Sequence, residues 1–430
     1  MPHARTHLGA AAAALAVGFS SMAGPLTPPA GPPMSTGKTL TQVEPRVDVA
    51  TLPGSSEAVH VIDRPGSYYL TGDVVVPMNR VGVSVEACGV TLDLGGFSIA
   101  SLESGSVGVT IAPGAERATI YRGRIAVNAV PISAIDETAS GALFENLVLN
   151  ATGEGPSTRV PPGSIVRHVE SRGGGFRLLG GNIVFDRCVV LNAPVGITRQ
   201  GGQVVTGVLV SGVLIDGIEA VPGHGTPPVG IDLNADAFII DSVVTGVQGD
   251  GIRVGEGSSI RGTTVADVQA RGVVCDGGSL VVHTLVRDTG GDGIVAIRSA
   301  ILSSMVESAG GTGIVLGAGS TLENSRVLGA MGPGVTATND TRIVGNAITN
   351  GQAAGVVLTF RHSVVDSNLI SSHANGAAIE ATGRHFVTRN FLINNTVDIG
   401  GDDPTGVGIA PVEGAIRTAS NLNPFANLGL

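Results

Sequence analysis

The sequence contains no tryptophan, and only three of its 430 residues are tyrosine. Those three, Tyr68, Tyr69 and Tyr121, lie in the first third of the chain. The remainder therefore lacks the amphipathic aromatic platforms that line many ligand sites. Lysine is almost missing as well: Lys38 stands alone, and 25 Lys+Arg face 35 Asp+Glu for a net charge of −10. A chain this acidic is a poor nucleic-acid binder, and it repels polyuronates unless a cation such as Ca2+ bridges the two. Nine histidines and three cysteines are scattered along the chain, which argues against a redox or copper centre; no cofactor is expected otherwise. No segment approaches 18 uninterrupted apolar residues, so no membrane span is expected.

What the chain does have is glycine at a fixed stride. Gly230, Gly251, Gly272, Gly293, Gly313, Gly334, Gly355 and Gly376 are spaced 21, 21, 21, 20, 21, 21 and 21 residues apart. A period of this length is the mark of a solenoid, in which each coil buries its apolar side only by stacking on its neighbours. Around each glycine one phrase returns, as in Gly251-Ile252-Arg253-Val254 and Gly313-Ile314-Val315-Leu316, with strand-like alternation. The residues one and three after the glycine should point inward and the residue two after it outward. A second phrase, as in Ile343-Val344-Gly345-Asn346-Ala347-Ile348, gives each coil at least two strands. The glycine between them fits a tight turn or a close backbone approach. Leucine-rich, helical and calcium-binding nonapeptide solenoids are excluded, because their ladders, periods and Gly-Gly-x-Gly-x-Asp runs are missing. Gly196 and Gly175 extend the stride backward, with an insertion between Gly196 and Gly230. The count is about thirteen coils, or about 60 Å of stacked strands.

Two further segments sharpen the reading: Pro65-Gly66-Ser67-Tyr68-Tyr69-Leu70-Thr71-Gly72, and Val90-Thr91-Leu92-Asp93-Leu94-Gly95-Gly96-Phe97-Ser98-Ile99. With the lead-in Thr41-Gln42-Val43-Glu44-Pro45-Arg46 and the ending Asn423-Pro424-Phe425-Ala426-Asn427, the chain resembles right-handed parallel β-helix repeat proteins of the pectin-lyase-like superfamily. It is most similar to a secreted bacterial subset whose members mostly carry no assigned activity. The resemblance implies an all-β, single-stranded right-handed parallel β-helix with caps at both ends, and export. It implies little chemistry.

The expected organisation is a signal peptide over 1–23, cut after Ala23, and a Pro-rich linker over 24–38. An N-terminal cap with first coils over 39–107, the β-helix over 108–395 and a C-terminal cap or tail over 396–430 follow. The three cysteines lie coils apart, too far for disulfide geometry, and are expected free and buried. Asn346, Asn368 and Asn390, preceded by Thr263, Thr284, Ser304 and Ser325 at the same position, read as a structural hydrogen-bond ladder.

The outward position of the glycine phrase runs Arg177, Thr198, Asp232, Arg253, then Val274, Val295, Val315, Thr336, Val357 and Ala378. One half is polar; the other is an apolar stripe that something should cover, either the C-terminal tail or a second copy. The polar half adjoins the insertion, residues 216–229, which carries His224. Asp232 and Arg253 are the best catalytic candidates, and Arg177, His224, Asp250, Arg271 and Asp292 the substrate-binding ones. A carboxylate pair supplies acid and base for glycoside hydrolysis, and an arginine beside a cation-bound carboxylate suits β-elimination of a uronate. The plainer alternative is that alternating Asp and Arg on neighbouring coils are cross-strand ion pairs keeping a sheet soluble. Two functions follow: a non-catalytic scaffold at the cell surface or outside the cell, or a polysaccharide lyase, hydrolase or epimerase beside the insertion.

Overall fold

The computed structural model describes residues 45–400 apart from 154–156, 202 and 221–227, together with the backbone of three short strands beyond them. The signal-peptide and linker expectations lie outside the described residues. Every pairing between the described strands is parallel, and one strand per coil builds a sheet of 16 strands from Ala58–Ile62 to Val397–Gly400. We call this sheet the first face. A second sheet of 31 strands carries the rest of each coil and folds round a corner into a second and a third face. The architecture is a right-handed parallel β-helix. It has 16 coils where the glycine stride counted about thirteen, because the early coils vary in length: Gly82 and Gly108 stack at the stride position 26 residues apart, and Pro131 and Ser157 replace the glycine on the next two.

The coil that begins at Asp250 shows how sequence makes shape. Its three strands are Asp250–Val254, Ser259–Arg261 and Thr264–Val268. Ile252, Val254, Ile260, Val265 and Val268 point inward with 2% exposure or less, so five branched side chains fill the whole cross-section. Gly251 sits among them for reasons of space: a Cβ there would lie 2.4 Å from Val265 Cγ1 and 2.7 Å from the carbonyl oxygen of Gly272. The corner between second and third faces makes a different demand. Its residue is left-handed coil after coil, whether glycine (Gly262, φ 59°) or not (Asp241, φ 48°; Asn324, φ 51°; Ser367, φ 56°).

The residue after that corner is the expected ladder, and it is buried. Asn346 N–H donates to Asn368 Oδ1 at 2.9 Å, Asn368 N–H to Asn390 Oδ1 at 3.0 Å, and Ser304 N–H to Ser325 Oγ at 3.1 Å. A second ladder, not foreseen, runs along the corner between first and second faces. There Ala237, Ser258, Ser279 and Ser299 donate their N–H groups to Ser258, Ser279, Ser299 and Ser320 Oγ at 3.2–3.3 Å. Both ladders satisfy backbone donors that the bends would otherwise leave buried without partners.

At the N-terminal end, strand Arg46–Asp48 pairs with Gly66–Tyr69. Tyr68 turns inward and its hydroxyl donates to the Arg64 carbonyl at 2.9 Å. Asp93 of the Leu-Asp-Leu segment is 1% exposed and takes Arg46 Nη1 at 3.1 Å, Arg122 Nε at 3.1 Å and the Gly95 N–H at 2.9 Å. The tail strands Gly408–Ile409 and Asn427–Gly429 stack on Arg384–Thr388 and Phe391–Ile393, continuing the second and third faces. The described part of the tail thus extends the stack and does not lie over the first face, contrary to one of the two expected covers.

Two more expectations need correction. Cys188 and Cys275 are free and buried, but Cys88, also free, is exposed, in the turn between Val81–Val85 and Val90–Asp93. Near the C-terminal end the coil lengthens, so that Val356 pairs with Ile379 and Val357 with Glu380. Ala378 therefore occupies the inward glycine position, fully buried, and the outward residue is Glu380.

Candidate functional site

The register of the first face places one outward column on successive coils: Arg159, Arg177, Thr198, Asp232, Arg253, Val274, Val295, Val315, Thr336, Val357 and Glu380. A second column, one residue before the stride glycine, carries Asp250, with Arg271 and Asp292 on the next two coils. The foreseen patch exists as a neighbourhood but divides into two separate arrangements.

The first is a clamp centred on Asp250, whose side chain is 5% exposed. Its Oδ2 accepts from Arg253 Nη2 at 2.6 Å and from Arg271 Nη2 at 2.7 Å, and its Oδ1 accepts from Arg271 Nε at 3.1 Å and the Arg271 N–H at 3.0 Å. Burial pushes the Asp250 pKa up, but the hydrogen bonds from Arg271 and Arg253 outweigh it and hold the carboxyl below its ordinary value. Asp292 stands apart, its Oδ1 accepting the Thr312 N–H at 2.8 Å.

The second arrangement is Asp232 with Arg199, whose Nε lies 3.6 Å from Asp232 Oδ2. Asp232 Oδ1 is buried with no hydrogen-bond partner, and so is Arg199 Nε. Asp232 and Arg253 are register neighbours, yet the short ion pair of Arg253 goes to Asp250 on its own coil. Arg177 is half-exposed beside Arg159, and neither has a carboxylate within salt-bridge distance among the described residues. Sequence reading missed Arg159 and Arg199. Arg159 belongs to coils without the stride glycine, and Arg199 sits one residue past the outward position, so its reach across to Asp232 is not a matter of periodicity.

The segment next to this site is shorter than expected. Strands Leu214–Ile218 and Val229–Leu233 run into both of its ends, so Asp216 belongs to a strand of the third face and Val229 to the first face. Only residues 219–228 remain between them, and His224 lies outside the described residues. Among the described residues no group of three or more His, Cys, Asp or Glu is gathered where it could hold a metal ion. No helix among them is long and apolar enough to cross a membrane.

The model of the right handed beta helix region family matches residues 229–397. The fold and that match together define the class: a right-handed parallel β-helix. No curated protein matches the sequence. Among solved structures the chain is similar to the periplasmic alginate epimerase AlgG, at 10% identity over 83% of this chain and 84% of that one, TM-score 0.36. It is also similar to the A-module of the Azotobacter vinelandii mannuronan C-5 epimerase AlgE4, at 15% identity over 79% and 90%, TM-score 0.42. A third is the catalytic unit of the GH87 α-1,3-glucanase from Streptomyces thermodiastaticus strain HF3-3, at 11% identity over 86% and 70%, TM-score 0.40. Likenesses at this level assign no chemistry to the chain.

Proposed function

We propose that this chain is an exported, non-catalytic β-helix that works by surface contact, as a scaffold or interaction protein in the periplasm, on the cell surface or outside the cell. The observation that carries the reading is the state of Asp250. A general acid or base must be free to trade its proton with a substrate, whereas this carboxylate is buried and held ionised by two arginines and a backbone N–H. That is how a sheet accommodates a charge, and it matches the cross-strand ion pairs of the plainer alternative. Contact is to another surface protein, a second copy or a polysaccharide; the half-exposed Val274, Val295, Val315 and Val357 are the proposed surface for self-association. No cofactor takes part.

One observation favours a second reading, a polysaccharide lyase, hydrolase or epimerase beside the 219–228 segment. The partnerless Asp232 Oδ1 and the uncompensated Arg159 and Arg177 line one stretch of the first face, with Ca2+ as the bridge an acidic protein needs to hold a uronate. The two readings separate on a broad polysaccharide panel with and without calcium, scored for new reducing ends, unsaturated products and retained binding. The scaffold reading expects no product on any substrate. Products that disappear in Asp232→Asn would establish the second reading in its place.

A further inference from the structure

The outward column of the first face has an order that bears on how two copies meet. From Arg253 to Glu380 it spans seven coils: Arg253, Val274, Val295, Val315, Thr336, Val357, Glu380. The run is nearly symmetric about Val315, with β-branched residues through the middle, a cation at one end and an anion at the other. Glu380 is exposed, and Arg253 is exposed over 37% of its side chain. Only one of the five guanidinium N–H donors of Arg253 is committed to Asp250, so the rest are available to a second carboxylate.

Beside Val295 and Val315 the face is bordered by short turns: Leu285–Thr289 and Ile294–Ala296 are joined by residues 290–293, and Met305–Ala309 and Ile314–Leu316 by residues 310–313, mostly glycine. A column about 29 Å long, six strand spacings of which the middle four run from Val274 to Val357, suits another sheet packed about 10 Å away.

Charge selects the arrangement. If two copies met with their coils running in the same direction, Arg253 would oppose Arg253 and Glu380 would oppose Glu380. If the coils run in opposite directions and the two-fold axis lies along the Val315 strand, Arg253 of one copy meets Glu380 of the other, Val274 meets Val357 and Val295 meets Thr336. Sliding by one coil one way brings Asp232 against Glu380, an acid pair; sliding the other way leaves Glu380 against Val274 and Arg253 against Gly400. Both ends thus disfavour every neighbouring register. We propose that two copies of this chain pack first face to first face, antiparallel, about a two-fold axis through Val315, in an isologous contact closed by two Arg253–Glu380 ion pairs. The inference rests on the self-association part of the function proposed above and adds its geometry.

The test uses the chain with Cys88→Ser, which removes the exposed thiol, and a short bis-maleimide as the probe. Val315→Cys should cross-link with itself, because Val315 faces Val315. Val274→Cys and Val357→Cys should each stay uncoupled alone and cross-link when mixed. In parallel, light scattering should give a dimer, and Glu380→Arg, a change at an exposed position, should weaken it at least tenfold. A dimer in which Val274→Cys cross-links with itself would overturn the antiparallel register and leave self-association standing. A monomer at every concentration tested would overturn self-association and the geometry with it.

Discussion

Asn368 offers the sharpest test of what holds the stack together. Its side chain is fully buried, and its Oδ1 accepts from the Asn346 N–H at 2.9 Å and from Asn346 Nδ2 at 3.0 Å. Its Nδ2 donates to the Ile343 carbonyl at 3.0 Å and to Asn390 Oδ1 at 2.9 Å. Asn368→Ala removes all four bonds. The Asn346 N–H is then left buried without an acceptor, at about 1–3 kcal/mol, and the lost amide contacts add about 1 kcal/mol more, for a total of about 3 kcal/mol. Asn368→Ser is the informative control. Serine already does this job two and three coils away, where Ser325 Oγ accepts the Ser304 N–H at 3.1 Å and Ser304 Oγ accepts the Thr284 N–H at 3.2 Å. The serine variant should therefore lose only about 1 kcal/mol. Urea unfolding gives the global effect, and amide exchange at Asn346 reports locally, which matters because repeat stacks unfold in units that couple mainly to their neighbours. Equal urea midpoints and equal Asn346 protection for the alanine and serine variants would refute the ladder argument.

Asp250→Asn should destabilise the chain by about 3 kcal/mol near neutral pH, since it leaves two arginines without their counter-charge. The folded pKa of Asp250 lies below the unfolded one, so the clamp's contribution is present above about pH 4 and fades as pH falls through the folded value; a gap between variant and parent that stays constant into acid would show that charge is not what the clamp contributes. Burial pushes the Cys188 and Cys275 thiols up to about 12, whereas Cys88 is exposed. A maleimide or disulfide reagent at mildly alkaline pH should count one thiol in the native protein and three after unfolding without reductant; any lower count in the unfolded chain would mean a bridge.

The solenoid was legible from the glycine stride because the stride has one cause: a coil this narrow has no room for a Cβ beside Val265 and the Gly272 carbonyl. Where the coil relaxes, as at Ala378, the stride gives the wrong residue, and a two-residue lengthening moves Glu380 into the outward column. The asparagine ladder was visible because Asn is an uncommon choice at that point. The serine ladder was not, since Ser258, Ser279, Ser299 and Ser320 sit beside turns, where serine is ordinary. The candidate site was legible as a location only. Periodicity says which residues share a face, but not that Arg253 turns back to Asp250 on its own coil or that Arg199 reaches Asp232 on the next. Those choices depend on side-chain length and on which carboxylate lies deepest.

The parallel pairing of the described strands has a mechanical consequence. All backbone bonds between coils point along one axis, so a pull on the two ends loads them in series, and the stack should open from an end by peeling, one coil at a time. Each coil of 21 residues would release about 70 Å of slack chain. A force–extension trace of evenly spaced, low peaks would make this protein a molecular spring with a nearly constant tension, a useful property for anything held between a cell and its surroundings.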